Sequence, residues 1–184
     1  MNTPHGVWLD DLTRQEAVSR FGGGAVAVVP VVSGGPDLPH LPLKTGAVIA
    51  RALGQRLLER LPVVVTPMVD ADSVSQRDTL GKYLVDRLAM LTALGARRIA
   101  IVDTSPSPGG VQGQPAGVLV LRVRVRIDAD EYPTSCLMAL EPRSVRMPLL
   151  PTGSRAQAFL GERAMAADVD ALVDGLRAKW PDLA

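Results

Sequence analysis

Apolar and polar positions divide this chain into strand and helix signals that take turns. Residues 25–32, Ala-Val-Ala-Val-Val-Pro-Val-Val, form an unbroken and largely β-branched apolar run. A strand covered on both faces, as in a parallel sheet, has this signature. Before it, Thr13 followed by Glu16 forms a capping box that opens a short helix, and the glycines at 22–24 end it near Phe21. After it, residues 46–61 set Val48, Ile49, Ala52, Leu53 and Leu57 on one side and Arg51, Arg56 and Glu59 on the other, as an amphipathic helix does. Pro62 stops that helix, and Val63, Val64 and Val65 predict a second buried strand.

A third unit follows: a helix over about 77–94, Gly95 as terminator, then a strand over 98–103. Strand and helix alternating in this way imply right-handed crossovers and a mainly parallel sheet with helices on both faces. In residues 117–127, Arg122, Arg124 and Arg126 alternate with Val123, Val125 and Ile127, the pattern of a strand with one wet face. A short helix over about 134–140 ends before Pro142, and a long amphipathic helix over about 162–179 closes the chain. No internal repeat, low-complexity tract or linker interrupts the pattern. The expected fold is α/β, a three-layer α/β/α sandwich forming a single domain over residues 1–184. Ligands in such sheets bind beyond the C-terminal ends of the strands, so the loops 33–45, 68–76 and 104–116 are the places to look for a site.

Composition narrows the function classes. Hydrophobic residues make up 47% and aromatic residues 3%, so the core must be aliphatic. A formal charge of +1 is too close to neutral for a nucleic-acid or membrane-surface binder. The single cysteine, Cys136, excludes an intramolecular disulfide and suits a reducing compartment. Residues 1–11 lack a basic-then-apolar run, and the longest apolar stretches, 25–32 and 62–65, are far below membrane-spanning length. A cytoplasmic protein is expected.

The chemistry-bearing residues concentrate after the first buried strand. The segment Val29-Pro30-Val31-Val32-Ser33-Gly34-Gly35-Pro36-Asp37-Leu38-Pro39-His40-Leu41-Pro42-Leu43-Lys44-Thr45-Gly46 resembles the first signature of the creatininase (creatinine amidohydrolase) family, and its Pro-His-Leu-Pro-Leu core at 39–43 is intact. Other segments agree in order. Trp8-Leu9-Asp10-Asp11-Leu12-Thr13 is similar to the family's N-terminal opening, and residues 95–102 to its third strand. Thr134-Ser135 with Leu137, Ala139 and Leu140 is similar to its Glu-Thr-Ser helix, and Gly161-Glu162-Arg163 to the start of its last helix. The resemblance spans nearly the whole chain, with gaps. It implies an amidohydrolase scaffold that carries two divalent ions, one polarising an amide carbonyl and the other lowering the pKa of a bound water.

Carried over residue by residue, the ligands that the resemblance implies are missing. The first-loop Glu falls on Gly35, its His on Asp37, the bridging Asp on Gly46, and the His after the third strand on Ser105. In the His-Ala-Gly-Glu-x-Glu-Thr-Ser segment one glutamate survives as Glu131, while the other position is Pro133. Glycine, serine and proline side chains do not replace imidazole or bridging carboxylate. The chain also lacks room between Met68 and Leu80 for the family's substrate loop, and between Gly110 and Val118 for a helix-bearing segment. The resemblance therefore implies a homologue without the dinuclear site, a non-catalytic binding or structural subunit. No cofactor is expected in that case, and the family's closed oligomers point to a second copy or a creatininase-like paralogue as partner.

The alternative is a metal-dependent amidohydrolase, acting on a cyclic amide or formamide, with a rebuilt site. Its candidate catalytic residues are Asp37, His40, Ser105 and Glu131, and its metal would be Zn, Mn or Mg. The simpler readings are a loop histidine held between Pro39 and Pro42, and a solvated acidic turn for Asp37, Asp128, Asp130 and Glu131. A Ser-His-Asp set from Ser33 or Ser105, His40 and Asp37 lacks a strained nucleophile elbow. Cys136 reads as a small core residue, and the arginine row as a solvated face or an edge that discourages wrong pairing.

Overall fold

A computed structural model of the chain describes residues 6–32, 38–70, 77–104, 117–123 and 131–183. Six parallel strands make one sheet: β1 (Val7–Trp8), β2 (Val26–Val32), β3 (Val64–Val65), β4 (Val69–Asp70), β5 (Arg98–Asp103) and β6 (Val118–Arg122). The order across the sheet is β1-β3-β2-β5-β6, with β4 continuing beside β2 beyond β3. Five helices accompany them: α1 (Arg14–Gly22), α2 (Thr45–Arg60), α3 (Arg77–Ala93), α4 (Glu131–Leu140) and α5 (Ala158–Lys179).

The expected three-layer α/β sandwich is what the chain forms. Every residue of β2 is buried. Successive side chains serve opposite layers, as the pleat requires: Val26 and Val28 pack with α2, α4 and α5, while Ala27, Val29 and Val31 pack with α1 and α3. In β5, Ala100 and Val102 join the first set, and Ile99 and Ile101 the second. The chain leaves β2 through α2 toward β3, and returns from β4 through α3 to β5 on the other side. The two helices lie on opposite faces, as right-handed crossovers in opposite directions demand.

Two short strands escaped the sequence pattern. Val7–Trp8 pairs with β3, and Val69–Asp70 pairs with the end of β2, so the expected loop 68–76 begins inside the sheet. Two-residue strands carry no readable period; only pairing defines them. The short helix starts earlier than its pattern, at Glu131, with Pro133 in its first turn, where no intrahelical N–H is required. The capping box is formed: Thr13 Oγ1 accepts from Glu16 N at 3.3 Å, and the Glu16 carboxylate accepts from Thr13 N at 2.8 Å. Of the arginine row, Arg122 ends β6, the last strand of the sheet among the described residues; Arg124 and Arg126 lie outside them.

Candidate functional site

The chain leaves β2 toward β3 and leaves β5 toward β6, so the crevice beyond these two neighbouring strand ends is the topological switch point of the sheet. On the β5 side stand Asp103 and Thr104. Asp103 is buried, with the Arg122 guanidinium 3.9 Å away on the adjacent strand. Thr104 folds back on β2, its N and Oγ1 both donating to the Val31 carbonyl at 3.0 Å.

On the β2 side the His40 loop returns toward α2. Turns from Leu41 N to the Leu38 carbonyl and from Thr45 N to the Pro42 carbonyl shape it, and Thr45 Oγ1 also donates to the Pro42 carbonyl at 2.6 Å. His40 is only 2% exposed, and its Nε2 is 2.9 Å from Thr134 Oγ1 in α4. Its backbone carbonyl accepts from Arg146 N at 2.9 Å. The histidine thus joins three segments: its own loop, α4 and the connection that follows α4.

The first turns of α4 form the next wall. Glu131 Oε1 accepts from Arg155 N at 2.7 Å, and Ser135 Oγ accepts from Gln157 N at 3.1 Å, so both side chains hold the backbone that leads into α5. Lys44 pairs with Glu141 at the other end of α4, and this hydrogen bond, aided by one from Ser144, holds the Glu141 carboxyl below its ordinary range. Behind the wall, Tyr132 donates to Asp168 at 2.6 Å. Burial, aided by the neighbouring Cys136 and Asp168, drives the Tyr132 phenol far above its ordinary value. Burial likewise pushes the Cys136 thiol up to about 12, and Cys136 Sγ lies 3.8 Å from the Gly161 carbonyl. A thiol so shielded is a core group, as the sequence suggested.

The candidate residues divide cleanly. His40 and Glu131 are described, and each is hydrogen-bonded to the fold. Gly46 lies in the first turn of α2, with no side chain to offer. Gly35, Asp37, Ser33 and Ser105 lie outside the described residues, as do Asp128 and Asp130. Among the described residues no three His, Cys, Asp or Glu side chains are grouped as a metal site would need. Sequence reasoning overlooked Asp168, although its place in the apolar stripe of Met165, Val169 and Leu172 marked it as a buried acid needing a partner.

No family model matches the sequence, and no curated protein matches it. Solved structures do. Creatinine amidohydrolase (creatininase) superposes with a TM-score of 0.76 over 96% of this chain and 98% of that one, at 17% identity. A mutant creatininase of Zn-Zn type gives 0.76 at 16% identity, and a manganese creatininase 0.74 at 16%, each over 96% of this chain and 99% of its own. The chain has the creatininase fold.

Proposed function

We propose that this chain is a creatininase homologue that no longer holds a dinuclear metal centre and serves as a non-catalytic binding or structural subunit. One observation carries the reading. Near the described strand ends the ligand-type side chains are engaged with the fold: His40 with Thr134, Glu131 with the Arg155 backbone, and Asp103 beside the Arg122 guanidinium. Gly46 and Pro133 have no donor, and at the further ligand positions the sequence supplies Gly35, Asp37 and Ser105, a single carboxylate among them. The residues present do not fit a pair of divalent ions, which need several imidazole or carboxylate donors converging on one point. A retained scaffold beside depleted site chemistry is what a protein used for binding would keep. Its partner on this reading is a creatininase-like paralogue or a second copy, in the cytoplasm.

The fold likeness to Zn-Zn and manganese creatininases supports a second reading, an amidohydrolase with a rebuilt site. Metal analysis of protein produced with ample zinc and manganese separates the two. The proposed subunit is expected to carry well under one transition ion per chain and to leave creatinine intact. Two stoichiometric ions per chain, removable by chelator with loss of amide hydrolysis, would overturn it.

A further inference from the structure

The connection from α4 to α5, residues 141–157, runs beside the His40 loop and includes two short 3-10 turns, Pro142–Ser144 and Met147–Leu149. It is held firmly from beneath. Arg146 N is bonded to the His40 carbonyl, Arg155 N to Glu131, and Val145 enters a small core with Leu41 and Leu137. The large apolar side chains of this strap nevertheless point away from the fold. Met147 is 58% exposed and Leu149 53%, and Leu43 on the neighbouring His40 loop is 90% exposed. Phe159, where the strap enters α5, is 62% exposed. Half of the large hydrophobic side chains exposed among the described residues are these four.

Beyond Glu141, the charge of the strap has one sign. Residues 142–160 contain three arginines and no acidic residue. Arg143 and Arg146 are exposed and make no ion pair with a described residue, while the adjoining Glu141 is taken by Lys44 and Ser144. A fixed backbone that presents apolar side chains beside cations paired with no described acid is an organised surface whose complement is apolar and negative.

We propose that this strap docks an acidic, apolar segment of a partner protein, an inference that rests on reading the chain as a binding subunit and specifies its partner. A second copy fits poorly. A two-fold contact through the strap would press one cationic patch against another, with no acidic residue from 142–160 on either side. The other exposed apolar set, Val18 with Tyr83, Val85 and Met90 on α1 and α3, is flanked by Lys82, Asp86 and Arg87, a mixed set of charges.

The test is a titration of the full chain, by fluorescence anisotropy, against a labelled synthetic peptide alternating Asp or Glu with Leu or Phe. A second peptide with Lys at every acidic position is the control. Saturable binding to the acidic peptide is expected, weakened by added salt, with about a tenfold loss of affinity in the double variant Arg143→Glu/Arg146→Glu and a similar loss in Met147→Ser/Leu149→Ser. All four positions are exposed, so circular dichroism should show both variants folded. Absence of saturation up to millimolar peptide, equal binding of the Lys peptide, or variants that bind as the parent does would overturn the proposal. So would a dimer in sedimentation that Met147→Ser/Leu149→Ser disperses, which assigns the strap to a second copy. Co-sedimentation with phosphatidylserine-containing vesicles without peptide binding would assign it to lipid and overturn it likewise. Two stoichiometric metal ions would defeat the non-catalytic reading while leaving the titration as it is, so the two failures are distinguishable.

Discussion

Helix α4 has two working sides, and they are built differently. Its seam with α5 is closed by backbone: a Cβ placed on Gly161 would come to 2.5 Å from Cys136 N and closer still to the Ser135 carbonyl. Around that contact lie Tyr132, Cys136, Met165 and Val169, all buried, with the Tyr132–Asp168 hydrogen bond in their midst. Its mouth side is held largely by side-chain bonds, among them His40 to Thr134, Glu131 to the Arg155 backbone and Ser135 to Gln157 N. The difference teaches which side a lineage can change. Side-chain groups at the mouth can be exchanged at a modest stability cost, whereas the seam tolerates almost nothing.

The strongest way to break the contrast is Gly161→Ala. No flexible group stands in the way of the new methyl, only backbone, so α4 and α5 must separate; a loss of about 3 kcal/mol or more is expected in denaturant unfolding. A smaller loss at that position would mean the seam is pliant. Alkaline pH probes the same seam. The Cys136 thiol has a raised pKa in the fold, so its stabilisation is complete below the ordinary value of 9.0 and is lost as pH climbs toward about 12. The raised Tyr132 phenol acts in the same direction. Stability measured across that window should fall, and Cys136→Ala should flatten the slope; an unchanged slope would mean that the thiol is hydrated.

On the mouth side, Thr134→Val removes the hydroxyl facing His40 and keeps the shape. A loss of about 1–2 kcal/mol is expected, with the fold intact. A cost comparable to that of Gly161→Ala would erase the distinction between the two sides. The smallest effect serves as a control on the glycine argument. Gly81, in α3, has nothing within 4 Å of a built Cβ, so Gly81→Ala should raise stability by about 0.5–1 kcal/mol through helix propensity.

The readable parts of this chain were those whose signal is local. The all-apolar run of β2, the Thr13–Glu16 box, the α2 pattern and the limits of β5 were legible because burial and capping act on residues close in sequence. So was the place of the His40 loop at the strand ends, through a motif that survives as a contiguous string. That Gly35, Gly46, Ser105 and Pro133 carry neither imidazole nor carboxylate was also plain, since side-chain chemistry belongs to the residue whatever its surroundings.

Tertiary structure alone decided what the remaining groups do. That Glu131 holds the Arg155 backbone rests on a contact 24 positions away, which the sequence does not announce. His40 and Thr134, 94 positions apart, give no sign in the chain that they meet. The two-residue strands β1 and β4 exist only through their neighbours. Propensity and periodicity record which faces are buried; hydrogen bonds between distant segments depend on how those faces pack, and this the sequence states nowhere in particular.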